Sequence, residues 1–249
     1  MSNLRVQSLE RSDASKCAAI RIASLGSLVI GRPPPYPWYL ELQIASIQND
    51  LDWKPSVHHL KVVDGDGRDI VADAKWGMYP SGRSDLDQLS QPLDEESKTV
   101  DQYGALREAV HEYFCTRNDG EMGSRPHLRW SFCLFMINSD NLLVLALLVT
   151  SEAHRGRDAG SSLVCWGIAK SEESGLPCYL QASGQGRRLY KHHGFNDLDT
   201  VEFDLSKYGL PGVEKMTELV RKPSNAVDCP QMTQNMALPD TSALGRPPM

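Results

Sequence analysis

The chain has 249 residues, 41% of them apolar and 23% charged, and a net charge of −6. That length supports one domain with a substantial core, or at most two small ones. The acidic balance argues against a nucleic-acid binder, which carries a basic stripe. Six cysteines without CxxC or regular spacing argue against a disulfide or zinc framework, so they are expected to be reduced packing residues. A single catalytic thiol among them stays open. The first residues, MSNLRVQSLERSD, hold no apolar signal-peptide core. The longest apolar run, Leu142 to Val149, is too short to span a bilayer. The expectation is a cytoplasmic protein with no membrane or nucleic-acid partner and no metal, a monomer or a homodimer.

Leu4 to Leu9 alternates as a first strand. Asp13 is placed to cap a helix through Cys17, Ile20 and Ala23. Prolines exclude regular helix from RPPPYPWY, Arg32 to Tyr39, and a second helix is expected from Leu40 to Asn49. His59 to Val63 and Ile70 to Trp76 flank DGDGRD, whose Asp-Gly pairs predict a hairpin. His58 and His59 fall on opposite sides of that strand, which makes them poor joint metal ligands, and both are expected to be exposed.

Ser81 to Gln91 is loop-like. A helix capped by Asp94 should then carry Val100, Tyr103, Leu106, Val110, Tyr113 and Phe114 on its apolar face. Two apolar runs, FCLFMI and LLVLALLV, predict two strands joined by Asn138 to Asn141. Ser161 to Ser174 is expected as a helix with Leu163, Val164, Gly167 and Ile168 on one face. Strands are expected at Pro177 to Gln181, Val201 to Leu205 and Lys215 to Arg221, with a short helix of Leu189 and Tyr190 between Gly184 and Gly194. Residues 223–249 lack periodicity and contain five prolines, and are expected to be disordered.

The densest chemistry lies in LLVTSEAHRGRDAGSSLV, Leu147 to Val164. A strand runs into a loop with Arg155, Gly156, Arg157 and Gly160, and a helix follows. A helix start presents unpaired N–H groups and the positive end of a dipole to an anion. Asp158 puts a negative charge into that loop.

RGRDAG, the helix after it, PCYLQAS and GQGRRLYKHHGF stand in the order found in the GCN5-related N-acetyltransferase superfamily, which this chain resembles over roughly residues 2 to 222. The family's loop reads Gln or Arg, two residues, Gly, one residue, then Gly or Ala. Arg155 and Gly160 match it, and Asp158 replaces the first glycine. IVADAKWGMYP, Ile70 to Pro80, and FDLSKYG resemble fungal-type members.

The resemblance implies an α/β (α+β) fold, a mixed, twisted sheet of about seven strands with helices on both faces. It implies one acyltransferase domain over residues 1–222. It further implies that the fourth and fifth strands splay and admit the pantetheine arm of acetyl-CoA along Leu147, Leu148 and Val149. Backbone groups of Leu147 and Val149 are the expected partners, and the pyrophosphate would rest on Arg155, Gly156, Arg157, Asp158, Ala159, Gly160 and Ser161. The fourth strand should follow Pro126-His127-Leu128 directly, so residues 129–143 are expected to be an insertion.

The implied activity is direct transfer of an acetyl group from acetyl-CoA to the amine of a small molecule or peptide. Tyr190 falls at the family's tyrosine general acid. Glu121, His127 or a water chain are open choices for the base, and Ser183, His192 and His193 fall near the expected site. The proline-rich segment and the helix after Asp94 would line the acceptor pocket. Asp158 is expected to weaken CoA binding. The alternative is a protein that keeps the fold as a binding module or for another reaction. A nucleotide-phosphate binder of a different fold lacks its GxxxxGK[ST] loop here.

Overall fold

The computed structural model describes residues 4–65, 69–80, 103–111 and 141–224. Among them seven strands form one sheet: β1 (Leu4–Ser8), β2 (Val57–Asp64), β3 (Asp69–Tyr79), β4 (Leu142–Thr150), β5 (Cys178–Ser183), β6 (Asn196–Asp204) and β7 (Val213–Arg221). Their spatial order is β1-β2-β3-β4-β5-β7-β6. β4 and β5 are parallel, and every other neighbouring pair is antiparallel. The helices are α1 (Ala14–Leu25), α2 (Tyr39–Trp53), α3 (Gly104–His111), α4 (Ala159–Ser174) and α5 (Gly184–His192). The mixed α/β sheet with helices on both faces is the expected fold class.

Strand alternation sorts the side chains onto two faces. Leu60, Val62, Ala72, Ala74, Trp76, Leu143 and Leu145 pack with Leu163, Val164 and Ile168 of α4. On the opposite face α1 and α2 enclose Ala14, Cys17, Ala18 and Ile47 with Leu9. A third cluster joins Ile30 of the segment between α1 and α2 to Leu106 of α3 and to Phe203, Leu205 and Leu210.

Gly167 is what lets α4 sit close to β3. A Cβ there would lie 2.1 Å from the Trp76 ring, well inside van der Waals contact. Trp76 is fully buried, and its indole N–H donates to the Leu163 carbonyl at 3.3 Å. Gly175, at φ +70°, ends the helix in the left-handed cap that glycine favours.

Several expectations shift. His59 is buried at 2% exposure and His58 is half-buried, against the expected exposure of both. They do lie on opposite faces: His58 approaches Trp166 of α4, and His59 bonds Asp50 of α2. The cause is tertiary, because charged partners from α1 and α2 satisfy the imidazole of His59 inside the core. Cys17 and Cys178 are free and buried as expected, but Cys165 is disulfide-bonded.

β6 starts at Asn196, five positions before the expected Val201, because its polar first half pairs with β7. α2 runs to Trp53, beyond the expected Asn49. Of the helix expected after Asp94, Gly104–His111 is seen. Val100, Tyr113, Phe114, the FCLFMI run and residues 225–249 of the tail lie outside the described residues. Leu142 and Leu143, the last two positions of the expected insertion, belong to β4 and are fully buried. The rest of residues 129–143, apart from Asn141, also lies outside.

Candidate active site at the β4–β5 fork

β4 and β5 pair over only three residues, Leu143 to Leu145 against Cys178 to Leu180. Beyond that point β4 continues to Thr150 against β3, and β5 continues to Ser183 against β7. The two strands therefore diverge into a fork. One β4 edge faces it without a strand partner among the described residues, which leaves backbone donors and acceptors for a ligand.

Where the fork opens, the β3–β4 ladder slips: Lys75 pairs with Leu147 and Trp76 with Leu145. Ala146 is the extra residue, and it is exposed. A bulge re-aims the backbone at that point. The N–H of Ser151 donates to the Val71 carbonyl on β3 at 2.8 Å. Backbone groups alternate sides along a strand. Leu147 and Val149, the expected pantetheine partners, therefore turn their backbone groups toward β3. Leu148 and Thr150 turn theirs toward the fork, where the Thr150 carbonyl accepts the Ser24 hydroxyl at 3.3 Å.

β4 leads into a 3-10 turn, Glu152–His154, and then the loop. Gly156 has φ +75° and Asp158 has φ +64°, the one non-glycine positive φ among the described residues. Aspartate tolerates this left-handed region better than most residues, and glycine better still. Asp158 is the N-cap of α4, but its side chain makes no capping bond and is exposed. Its carbonyl accepts both the N–H and the hydroxyl of Ser162, each at 3.0 Å. The N–H groups of Ala159, Gly160 and Ser161 precede the first intrahelical bond and stay available.

Arg157 turns away from Asp158 and binds Asp64 at 2.7 Å. Arg155 is exposed. Gly160 fits tightly, since a Cβ there would meet Leu189 at 3.3 Å and Leu148 at 3.5 Å. The start of α4 is thus pressed between β4 and α5.

Tyr190 projects from α5 into the main core cluster at 7% exposure, edge-on to Phe195 at 5.9 Å. Gly186 leaves room beside its ring, where a Cβ would lie 3.2 Å away. Burial pushes the Tyr190 phenol up to about 12, so it keeps its proton at any physiological pH. His193 is half-buried, its Nε2 is sealed without a hydrogen-bond partner, and burial lowers its basicity. His192 is exposed, and Ser183 is the N-cap of α5. Glu121 and His127 lie outside the described residues. No group of three or more metal-ligating side chains occurs among the described residues, and none of their helices is long and apolar enough to cross a membrane.

Two polar groupings on the α1–α2 face escaped sequence reasoning. Arg21 forks onto Asp73, and His59, Lys75 and Lys54 converge on Asp50, which is 2% exposed. On β5 and β7, Tyr179 donates to Glu218 at 2.7 Å, and Gln181 donates to the Tyr179 oxygen at 3.1 Å. The available signal was a charged residue recurring inside strand-like runs, as in VHHLKVV, ADAKW and TELVR.

No family model matches the chain. A comparison with curated proteins finds no match. Solved structures do resemble it. Arylalkylamine N-acetyltransferase 2 from Aedes aegypti aligns at TM-score 0.59 and 15% identity, over 89% of this chain and 100% of that one. An agmatine N-acetyltransferase aligns at TM-score 0.56 and 15% identity, over 88% and 99%. The Salmonella typhimurium protein yncA, solved with acetyl-CoA, aligns at TM-score 0.51 and 11% identity, over 96% and 98%. What these identities establish is a shared fold, that of the GCN5-related N-acetyltransferases.

Proposed function

We propose that this chain is an acetyl-CoA-dependent N-acetyltransferase of the GCN5-related superfamily that acetylates the amine of a small molecule or peptide directly. One juxtaposition carries the reading: a single strand, β4, supplies an open edge at the fork and then delivers the loop that starts α4. The residues present suit the co-substrate. Free N–H groups at Ala159, Gly160 and Ser161 fit a diphosphate, and the fork-facing groups of Leu148 and Thr150 fit a chain of amides.

Acetyl-CoA supplies an activated thioester. In this reading Leu148 and Thr150 align the pantetheine arm beside Val149, and Arg155 to Ser161 hold the diphosphate, with Arg155 as the side-chain cation. The bulge at Ala146 re-aims the backbone where the fork opens, and an N–H free there would stabilise negative charge developing on the thioester oxygen. As the amine nitrogen bonds to the acetyl carbon and the carbon–sulfur bond breaks, Tyr190 would give its proton to the departing sulfur, and the proton lost by the amine nitrogen, carried by water, would restore the phenol. Its raised pKa keeps that proton in place until the sulfur can take it.

One observation favours a second reading, a fold-retaining protein with weakened CoA binding. Asp158 stands unneutralised by Arg157, which Asp64 holds. The discriminating experiment is calorimetric titration of acetyl-CoA, followed by thiol release across a panel of amines. Binding with turnover on at least one amine supports the transferase. Binding without turnover moves the assignment to the second reading, and absence of binding overturns the first.

A further inference from the structure

We infer that Asp64, at the end of β2, is a positioning residue for the loop that starts α4. It grips Arg157 and so holds the loop in the shape that aims its free N–H groups at the diphosphate. This rests on the transferase reading.

The loop departs from the sheet at β4, where the Ser151 N–H still donates to Val71 of β3 at 2.8 Å. Further along, the Arg157 guanidinium reaches the Asp64 carboxylate at 2.7 Å. β3 lies between β2 and β4 in the sheet, so the bridge spans about 10 Å at ordinary strand spacing. The loop is therefore tied across the end of β3. Its post is firm. Asp64 pairs with Leu4 of β1 and with Asp69 of β3. The next residue, Gly65, is held through its carbonyl by Arg5 of β1 at 2.9 Å.

Arg157 stands between Gly156 and Asp158, whose φ angles of +75° and +64° are both left-handed. A residue other than glycine keeps that conformation only where its surroundings enforce it. The Asp158 side chain makes no capping bond, so it supplies no such hold itself. Two ties do. Ser162 binds the Asp158 carbonyl from the helix side, and the Arg157 bridge fixes the loop from the sheet side. Together they set where the N–H groups of Ala159, Gly160 and Ser161 point. A loop ordered before its ligand arrives spares binding the cost of ordering it. Within the pair the two charges offset each other, and the side chains are 39% and 25% exposed. The contribution of Asp64 is thus order in the loop, and its size is that of a part-exposed ion pair.

The test compares the wild type, Asp64→Asn, Arg157→Gln and the double variant in two measurements. Amide hydrogen exchange of the protein alone reads the loop. The Ser162 amide, bonded to the Asp158 carbonyl, should exchange about three- to tenfold faster in each single variant. The double variant should match the singles, and the amides from Cys165 to Ile168 should keep the wild-type rate. Calorimetry then reads acetyl-CoA, which each single variant should bind about three- to tenfold more weakly, and the double variant as weakly as the singles. In turnover by Asp64→Asn the acetyl-CoA KM should rise while kcat and the amine KM hold. Arg157→Lys keeps a charged donor and should restore most of both effects. An unchanged Ser162 rate in the single variants overturns the proposal. So does acetyl-CoA binding that Asp64→Asn leaves unchanged or tightens, since Asp64 would then only withhold Arg157 from the diphosphate. A wild type that does not bind acetyl-CoA strikes instead at the transferase reading, and the Ser162 rate still decides whether Asp64 holds the loop.

Discussion

Arg21 donates from Nη2 to Nδ1 of His59 across 3.0 Å, and that bond settles the state of the imidazole. A guanidinium can only donate, so Nδ1 must be the acceptor and Nε2 must carry the proton. Nε2 lies 3.1 Å from Asp50 Oδ2 and donates to it. Arg21 also grips Asp73 on β3, which fastens α1 to the sheet, while Asp50 fastens α2 through His59 and Lys75. The segment that carries Ile30 runs between these two helices.

Asp50→Asn should therefore destabilise the fold by about 1–3 kcal/mol, because it weakens the acceptor of the buried His59 N–H and removes the counter-charge of the part-exposed Lys75 and Lys54. Burial alone would raise the Asp50 carboxyl, but hydrogen bonds from His59 and Lys75 outweigh it and hold the group well below the usual carboxylate range. A carboxyl depressed in the folded state contributes stability above its unfolded pKa, and that stability is lost as pH falls through the folded value. Urea midpoints of the wild type should thus fall as pH drops below about 4, and those of Asp50→Asn should fall less steeply.

Gly167→Ala should cost about 1–3 kcal/mol, since the added methyl overlaps a fully buried indole. Chemical denaturation measures it. Stability equal to the wild type would mean that α4 does not press on Trp76 as described.

Asp158→Gly should tighten acetyl-CoA binding. A carboxylate about 4 Å from a phosphate charge opposes it by roughly 4 kcal/mol at an effective dielectric of about 20. Exposure of the side chain reduces that figure, so a gain of about one order of magnitude in affinity is the expected calorimetric result. Glycine also relieves the positive φ at this position.

Tyr190→Phe should lower kcat by about 10²-fold or more and leave acetyl-CoA affinity unchanged, as for loss of a general acid. The phenol is pushed up to about 12 by burial, so its protonated form persists across the accessible range. The wild-type rate should show no decline from Tyr190 at pH 9 to 10, where an ordinary phenol begins to titrate.

The loop from Arg155 to Ser161 was legible because its signal is local: glycine, charge and the switch from strand to helix period all occur within a few residues. The same holds for the DGDGRD hairpin and for the Gly184–Gly194 helix, which needed no distant partner to be recognised. His59 was not legible, because a histidine is buried only when an Arg and an Asp from other elements satisfy both ring nitrogens. The polar start of β6 was hidden for a related reason, since its strand state comes from pairing with β7.

The sequence by itself determined the order of the strands and helices among the described residues and the position of the loop that starts α4, because periodicity and turn chemistry act over short spans, and its resemblance to a known superfamily implied the fold class. Only the tertiary structure decided the parity of β4. The slip at Ala146 and the bond from Ser151 to Val71 turn Leu148 and Thr150 toward the fork and Leu147 and Val149 toward β3. One extra residue in a strand reverses the direction of every group that follows, and which strand absorbs it is set by pairing across the sheet. The same is true of Glu218: alternation offers two faces to a carboxylate on β7, and the hydrogen bond from Tyr179 of β5 marks the one it takes.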